Sequence, residues 1–388
     1  MRIAVFTESW IPMTDGLTTS LLAFKRELES RGHHLHVFAP GPEATHAEGE
    51  TRYKGYPFWG YPELRVNFSP SGHDTTRLLI EGGFDIVHLQ SPGPVALWGL
   101  LAAKRLGLPV VTSYHTFLPD LVPYVAPPGL QGFARSVVWS ATERFFRATD
   151  LVLVPGPSAA AEILAHMPID AIPRMEIQPN GVDVARFRPD RRSRAMRERL
   201  SPNGEPVVLS VSRLAREKNI PFLVDALVEA RKTLPDLTLA IGGRGPERET
   251  IERRARRLGV TDAVRFLGYI ADEDLAAAYA SADAFASASA FETQGMTAIE
   301  AMACGTPVAA ARARGLADYV RDGETGHLFT PGDLAEAARA MTRAVAAGDR
   351  MRNAARQHAM TLSVARATDL LEKRYHEVAN TVPVYAVA

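Results

Sequence analysis

The sequence predicts an α/β protein built as two doubly wound parallel-sheet domains facing a central cleft, and three observations predict it. The chain has 388 residues, 46% of them apolar, which is too many for one ordinary core and suits two domains of about 150 to 200 residues. Short apolar strands alternate with helical patterns, the rhythm of βαβ units and a parallel sheet. That rhythm runs twice, and a turn-rich, charged stretch separates the two runs.

In the first half, strands are expected at residues 2–6, 34–39, 84–89, 109–113 and 151–154, with a helix over about 18–31. In the second half they are expected near 206–211, 237–242, 263–267, 283–287 and 306–310. Between them lies Pro179-Asn180-Gly181-Val182-Asp183, followed by a charged stretch ending in Ser201-Pro202-Asn203-Gly204. This composition reads as a linker and hinge, so the domains are placed at 1–180 and 205–362 with the linker at 181–204. Segments near 333–347, 350–360 and 363–379 have helical periodicity and no strand partners. The last of them, within 363–388, is expected to pack back on the first domain.

Charge and cysteine content narrow the function. Lys plus Arg and Asp plus Glu both number 44, so no global field draws the chain to nucleic acid or to an anionic membrane. The single cysteine, Cys304, cannot form an internal disulfide or a cysteine-based zinc cage, which agrees with a reducing cytoplasmic setting. No apolar run approaches the 18 or so residues that span a bilayer. The expectation is a cytoplasmic protein whose membrane attachment, if it has one, is local and peripheral on the inner face.

The second half carries the chemistry. Glu292 and Glu300 are eight residues apart in the segment from Phe291 to Pro307. With a helix starting near Gly295, Glu292 sits in the loop before it and Glu300 about a turn and a half inside. Free N–H groups at a helix start favour an anion such as phosphate, while carboxylates accept hydrogen bonds from sugar hydroxyls. Small apolar neighbours, Ala298, Ile299, Ala301, Met302 and Ala303, make the helix a buried one, and a buried carboxylate needs a partner. Arg213 and Lys218 follow the strand Val207–Val211, at the carboxyl end where open α/β sheets bind ligands, and two cations there can neutralise a leaving diphosphate. After the next strand, Gly242-Gly243-Arg244-Gly245-Pro246 gives a turn where backbone can approach a ligand closely.

Taken together, Arg213 with Lys218, the Gly243-Arg244-Gly245-Pro246 turn, Phe266-Leu267-Gly268, Asn180-Gly181-Val182-Asp183 and the Glu-x7-Glu segment resemble glycosyltransferase family 4 over essentially the whole chain. The resemblance implies the GT-B fold and a retaining, metal-independent transfer from a nucleotide sugar, without a cofactor. It casts Glu300 as acceptor for the ribose hydroxyls and Glu292 as a contact to the transferred sugar. Gly295, Met296 and Thr297 would present backbone donors to sugar and phosphate, Arg213 and Lys218 would hold the diphosphate, and the backbone at Gly268 and Tyr269 would meet the base, with uracil and guanine both open.

In the first half, the strand 2–6 leads into Thr7-Glu8-Ser9-Trp10-Ile11-Pro12-Met13-Thr14-Asp15-Gly16. Gly16 matches the second glycine of the family's usual pair, where backbone meets the diphosphate, and Asp15 replaces the first. The segment is not G-x-G-x-x-G, which argues against a nicotinamide dehydrogenase. His115, in Ser113-Tyr114-His115-Thr116-Phe117, stands where the family places a histidine against the transferred sugar. It need not be the base, because a front-face reaction can pass the acceptor proton to the leaving phosphate. His34 with His36, and Asp272-Glu273-Asp274, resemble metal clusters but are explained by strand-face packing and by helix capping.

For the acceptor, residues 56–62 and 117–125 are rich in aromatics and proline, and a helix near 133–146 carries Phe133, Val137, Val138, Ala141, Phe145 and Phe146. Such residues suit either a lipid–water boundary or core packing. Gln294, where many family members carry Phe, and His115-Thr116-Phe117 resemble membrane-associated transferases that glycosylate diacylglycerol. Tyr114, Phe117 and Tyr124 are the acceptor candidates. The resulting expectation is hexose transfer from a nucleotide sugar, UDP-glucose or a close relative, to a glycerolipid. A GDP-mannose-dependent mannosyltransferase, a soluble acceptor and, from another class, a nucleotide-sugar 2-epimerase compete with it.

Overall fold

The computed structural model describes residues 1–13, 15–58, 61–67, 72–115, 118–168 and 174–381. Two compact units divide the chain, Met1–Gly181 with Val364–Ala388, and Val182–Ser363.

The first unit runs β1 (Arg2–Phe6), α1 (Gly16–Ser30), β2 (His34–Gly41), β3 (Thr45–Ala47), β4 (Glu50–Lys54), β5 (Tyr56–Phe58), β6 (Tyr61–Val66), α2 (Gly72–Gly82), β7 (Ile86–Leu89), α3 (Pro94–Leu106), β8 (Val110–Ser113), α4 (Val122–Val125), α5 (Gln131–Arg147), β9 (Leu151–Val154), α6 (Pro157–His166) and β10 (Met175–Ile177). Its main sheet has the order β10-β9-β8-β7-β1-β2-β4-β3 and is parallel except for the β3–β4 pair. The strands β7, β8 and β9 are buried at every residue, as expected of parallel strands covered on both faces. The strands β5 and β6 form a separate antiparallel pair. Asp15 starts α1 by accepting the Thr18 N–H at 2.7 Å, while Pro94 and Pro157 occupy first-turn positions of α3 and α6, where a missing N–H costs nothing.

The second unit runs α7 (Arg194–Leu200), β11 (Val207–Val211), α8 (Ile220–Ala230), β12 (Thr238–Gly242), α9 (Arg248–Leu258), β13 (Val264–Gly268), α10 (Asp272–Ser281), β14 (Ala284–Ser287), α11 (Met296–Ala303), β15 (Val308–Ala311), α12 (Arg314–Tyr319), β16 (Gly326–Phe329), α13 (Leu334–Val345) and α14 (Asp349–Thr361). All its strands are parallel, in the order β13-β12-β11-β14-β15-β16. Counted within the unit, this is the 3-2-1-4-5-6 order of dinucleotide-binding sheets. Along β11, Val207 and Leu209 enter one apolar cluster and Val208 the opposite one, the alternation of a sheet covered on both sides. The sixth strand, β16, lies in a segment to which no strand was assigned from the sequence. It is short and carries Gly326 and His327 rather than an apolar run.

Residues 182–204, read from the sequence as a linker, are folded into the second unit. Val182, Phe187, Met196 and Leu200 are buried in its core. The Arg356 guanidinium donates to the carbonyls of Val184 at 3.0 Å, Phe187 at 2.7 Å and Ala303 at 2.7 Å, so it ties this stretch to the end of α11. Several of its charges face solvent, but Arg186 and Arg197 reach inward to Asp272 and Asp283.

The final helix, α15 (Val364–Thr381), belongs to the first unit. Leu371, Tyr375 and Val378 join Leu21, Phe24 and Leu28 of α1 in one apolar cluster, each worth roughly 1.5 to 3 kcal/mol by burial. Arg374 donates to Glu176 Oε2 at 2.6 Å and to the Ile177 carbonyl at 2.7 Å. Among the described residues, no helix is long and apolar enough to cross a membrane.

Candidate active site

In an open α/β sheet the ligand crevice forms beyond the carboxyl ends of the strands where strand order reverses. In the second unit that point lies between β11 and β14. The loop after β11 carries Arg213 and Lys218, and the loop after β14 carries Glu292. Lys218 Nζ sits 2.5 Å from Glu292 Oε1, both half-buried. Arg213 Nη2 donates to Glu217 Oε1 at 2.6 Å. The structure thus brings together Lys218 and Glu292, which lie 74 residues apart.

The turn after β12 packs closely on the loop after β11. A Cβ on Gly243, whose φ is +132°, would lie 1.9 Å from the Ser212 carbonyl oxygen, and one on Gly245 would lie 2.3 Å from that of Leu214. Leu214 N donates to Arg244 O at 2.8 Å and Glu247 N to Leu214 O at 3.0 Å. The glycines let this turn dock on the loop that bears Arg213 and Lys218, and so act by shaping it. Gly268 accepts the Gly243 N–H at 2.7 Å. Tyr269 is half exposed, with the Arg244 guanidinium 5.7 Å from its ring centre.

Helix α11 begins from Gly295, whose φ of +80° places it in the left-handed region. Met296 and Thr297 occupy the first turn, where N–H groups have no intrahelical acceptor. The loop is braced from α12: Gly315 N donates to Glu292 O at 3.0 Å, and a Cβ on Gly315 would meet the Gln294 backbone at 2.4 Å. Gly315 was not singled out from the sequence, since nothing local ties it to a loop twenty residues earlier. Glu300 is buried and accepts from the Tyr279 hydroxyl of α10 at 2.9 Å. Asp272 and Asp274 at the start of α10 pair with Arg186 at 3.3 Å and Arg199 at 3.5 Å. Cys304 is buried at the end of α11.

Burial pushes the Glu300 carboxyl up to about 7, against the lowering effect of its Tyr279 hydrogen bond and of Arg186. If ribose hydroxyls donate to Glu300, they favour its ionised form. Binding of a nucleoside diphosphate should then release protons below pH 7, and affinity should rise from pH 6 to pH 8 by up to about tenfold, one pH unit's worth of ionisation. Calorimetry in buffers of different ionisation enthalpy measures this release, and Glu300→Gln should remove it. An unchanged proton count in the variant would take Glu300 out of the nucleotide site.

In the first unit the strand order reverses between β1 and β7. The loop after β1 holds Glu8, and β7 and β8 are followed by Gln90 and by Tyr114 with His115. Glu8 Oε1 accepts the N–H groups of Val95 at 2.8 Å and Ala96 at 3.1 Å, so the start of α3 already has its anion. Burial raises this carboxyl to about 7. Asp15 bonds Ser9 Oγ at 2.6 Å besides capping α1; this gives a structural reason for an acid where the family has glycine. Gly16 is exposed, with nothing within 4 Å of a Cβ. His115 Nε2 lies 3.0 Å from Gln90 Oε1, while its Nδ1 is buried without a hydrogen-bond partner among the described residues. Burial lowers His115 to about 4, so its ring is neutral at physiological pH.

Tyr114, an acceptor candidate from sequence, is fully buried with its ring edge-on to Phe146 at 5.5 Å. It is a core residue with no face for an acceptor, because the covered strand β8 continues inward through it. Phe117 lies outside the described residues, as does the side chain of Tyr124 in α4. His36 and His46 both meet Thr51 Oγ1, at 2.8 and 2.7 Å. Glu8, Gln90 and Tyr279 are site neighbours that sequence reasoning missed, and only Glu8, in the loop after the first strand, had a local signal.

Two family models cover the chain, Glycosyltransferase Family 4 over residues 14–186 and Glycosyl transferases group 1 over residues 191–360. The chain is 31% identical over 340 residues to an alpha-monoglucosyldiacylglycerol synthase of Streptococcus pneumoniae, covering 85% of this chain and 75% of that one. It is 34% identical over 337 residues to a GDP-mannose-dependent alpha-mannosyltransferase of Mycolicibacterium smegmatis, covering 85% and 84%. Among solved structures, a sucrose-phosphate synthase from Thermosynechococcus elongatus matches with a TM-score of 0.77 at 22% identity, covering 98% and 99% of the two chains. Anabaena HepE in complex with UDP matches at 0.76 and 20% identity, covering 97% and 100%. With its paired nucleotide-type sheets, its Glu-x7-Glu helix and these relatives, the chain belongs to glycosyltransferase family 4 and is a glycosyltransferase of GT-B fold.

Proposed function

We propose that the enzyme transfers a hexose, with retention, from UDP-glucose or a close relative to a glycerolipid such as diacylglycerol at a membrane surface, without a metal ion. The observation that carries the donor half is the Lys218–Glu292 pair at the switch point of the second unit, a few residues before the free N–H groups of α11 and the buried Glu300. In this reading Glu300 accepts the ribose hydroxyls, and Gly295, Met296 and Thr297 offer N–H groups to phosphate and sugar. Lys218 and Arg213 neutralise the diphosphate as the bond from the anomeric carbon to its oxygen breaks. The acceptor hydroxyl bonds to that carbon on the same face, and its proton passes to the departing phosphate.

The acceptor half is supported by α5. Its C-terminal part packs into the core through Phe145 and Phe146, while Leu130, Phe133 and Val137 are 57%, 73% and 50% exposed. They stand three and four residues apart, on one helical face, with Arg135, Arg144 and Arg147 on the same helix. An apolar stripe with basic neighbours suits an anionic lipid surface. The Streptococcus pneumoniae relative, an alpha-monoglucosyldiacylglycerol synthase, supports a diacylglycerol acceptor. A GDP-mannose donor is the second reading, favoured by a mannosyltransferase relative of similar identity.

A panel of UDP- and GDP-sugars, assayed with and without vesicles containing diacylglycerol, decides between them. UDP release from UDP-glucose that depends on diacylglycerol supports the first reading, whereas GDP release from GDP-mannose selects the second. Activity should survive EDTA, since Lys218 and Arg213 supply the countercharge that a divalent ion gives elsewhere. Complete loss, restored by manganese, would overturn the metal-free reading.

A further inference from the structure

Four side chains from distant parts of the first unit converge behind His115. His88, buried in β7, has its Nδ1 2.6 Å from the Tyr375 hydroxyl of α15 and its Nε2 2.8 Å from Ser113 Oγ. Burial keeps Tyr375 protonated, with its ionisation pushed far above the usual phenol range, and drives His88 down to about 3. A neutral imidazole has one N–H and one bare nitrogen. His88 therefore donates to one of the Tyr375 and Ser113 hydroxyls and accepts from the other, so both ring nitrogens are held. Gln90 Nε2 lies 3.2 and 3.3 Å from the two ring nitrogens of His88, so the amide N–H₂ sits against the electron-rich imidazole face, where an amide oxygen would be repelled. The Gln90 oxygen is thereby turned towards His115.

An amide oxygen only accepts, so His115 Nε2 carries the proton and Nδ1 is the bare nitrogen. That nitrogen is buried and has no partner among the described residues. A buried acceptor left unsatisfied destabilises the site, and an entering hydroxyl removes that cost. Ser20, whose Oγ is also buried without a partner among the described residues, lines the same small cavity as His88, Gln90, Ser113 and His115.

We propose that Gln90 is the positioning residue of His115: its side-chain oxygen holds the imidazole in the Nε2–H tautomer, leaving Nδ1 as acceptor for a hydroxyl of the bound sugar. The buried His88–Tyr375 pair fixes Gln90 in turn. Through Tyr375 the last helix of the chain bears on the sugar contact. The proposal rests on the reading of His115 as a contact to the transferred sugar.

Gln90→Met keeps the volume and removes the oxygen, while Gln90→Glu keeps an acceptor. Imidazole nitrogen NMR on the full-length, ligand-free protein reads the tautomer of His115, assigned by its loss in His115→Asn. In parallel, turnover of UDP-glucose, with GDP-mannose alongside, and the Kd for UDP and GDP are measured on the same samples. Gln90→Met should mix the His115 tautomers and lower kcat about ten- to hundredfold, the scale for losing an orienting contact, with nucleotide Kd within twofold. Gln90→Glu keeps the acceptor for His115 but sets a second oxygen against His88, so it should recover the Nε2–H form with only part of the activity, and Tyr375→Phe should move both readouts in the direction of Gln90→Met. An unchanged His115 tautomer in Gln90→Met overturns the positioning role. A mixed tautomer with unchanged kcat overturns instead the sugar contact on which it rests.

Discussion

Lys218→Ala should lower kcat about a hundred- to thousandfold, the roughly 2.7 to 4 kcal/mol that one preorganised electrostatic donor supplies to a transition state. The reason lies in its geometry: Lys218 Nζ is 2.5 Å from Glu292 Oε1, at the strand ends where the sheet order reverses. In the proposed reaction, truncation removes a cation from the leaving diphosphate. It also leaves the half-buried Glu292 carboxylate without its partner, and an unpaired anion repels phosphate. Lys218→Ala/Glu292→Gln should therefore bind UDP more tightly than Lys218→Ala alone, yet regain little of the rate, because the cation is still missing. Lys218→Arg is no safe substitute, since a planar fork cannot occupy the place of a point charge so close to a single carboxylate oxygen. Circular dichroism establishes that each variant is folded, and kcat is compared with UDP affinity on the same preparations. A kcat within threefold of the parent would mean that Lys218 serves only as an ion-pair partner for the loop.

Much of this site was legible because its parts are local. The strand Val207–Val211 announced itself as an apolar run, and the residues just after it had to fall at the carboxyl edge of a parallel sheet, so Arg213 and Lys218 followed. The eight-residue spacing from Glu292 to Glu300 placed one carboxylate before the helix and one inside it. Helix α11 begins at Met296, with Gly295 as its cap.

What stayed hidden depends on contacts made far along the chain. Tyr279 reaches Glu300 only because α10 packs on α11, and Tyr375 reaches His88 across 287 residues. Tyr114 misled for a different reason. In a half-buried strand, alternating polar residues show which side chains face solvent, but β8 is buried on both faces, so no pattern says where the next tyrosine points. The segment 182–204 misled by composition, since its arginines look like those of a solvated linker. One of them, Arg197, instead pairs with Asp283 at 2.8 Å.

Gly243→Ala should be the most damaging single methyl group in the second unit's candidate donor site. Its backbone has a φ of +132°, and its Cβ would come 1.9 Å from the Ser212 carbonyl oxygen. That atom belongs to backbone, so no side-chain rotation relieves the clash. The turn and the loop after β11 must separate, stretching the bonds from Ser212 N to Gly242 O at 3.1 Å and from Leu214 N to Arg244 O at 2.8 Å. Arg213 and Lys218 ride on the displaced loop. Gly259→Ala is the matched control, with a φ of +69° but nothing within 4 Å of the added carbon; it should cost only the left-handed backbone penalty of about 1 to 2 kcal/mol. Gly243→Ala adds the clash, and a total loss of about 3 to 5 kcal/mol puts it in the small class of severe substitutions. Urea unfolding followed by tryptophan-independent far-ultraviolet dichroism measures the difference, and UDP binding to the folded fraction should fall at least tenfold as Lys218 moves. If Gly243→Ala unfolds with the same midpoint as Gly259→Ala and still binds UDP like the parent, the turn after β12 does not hold the cation loop in place.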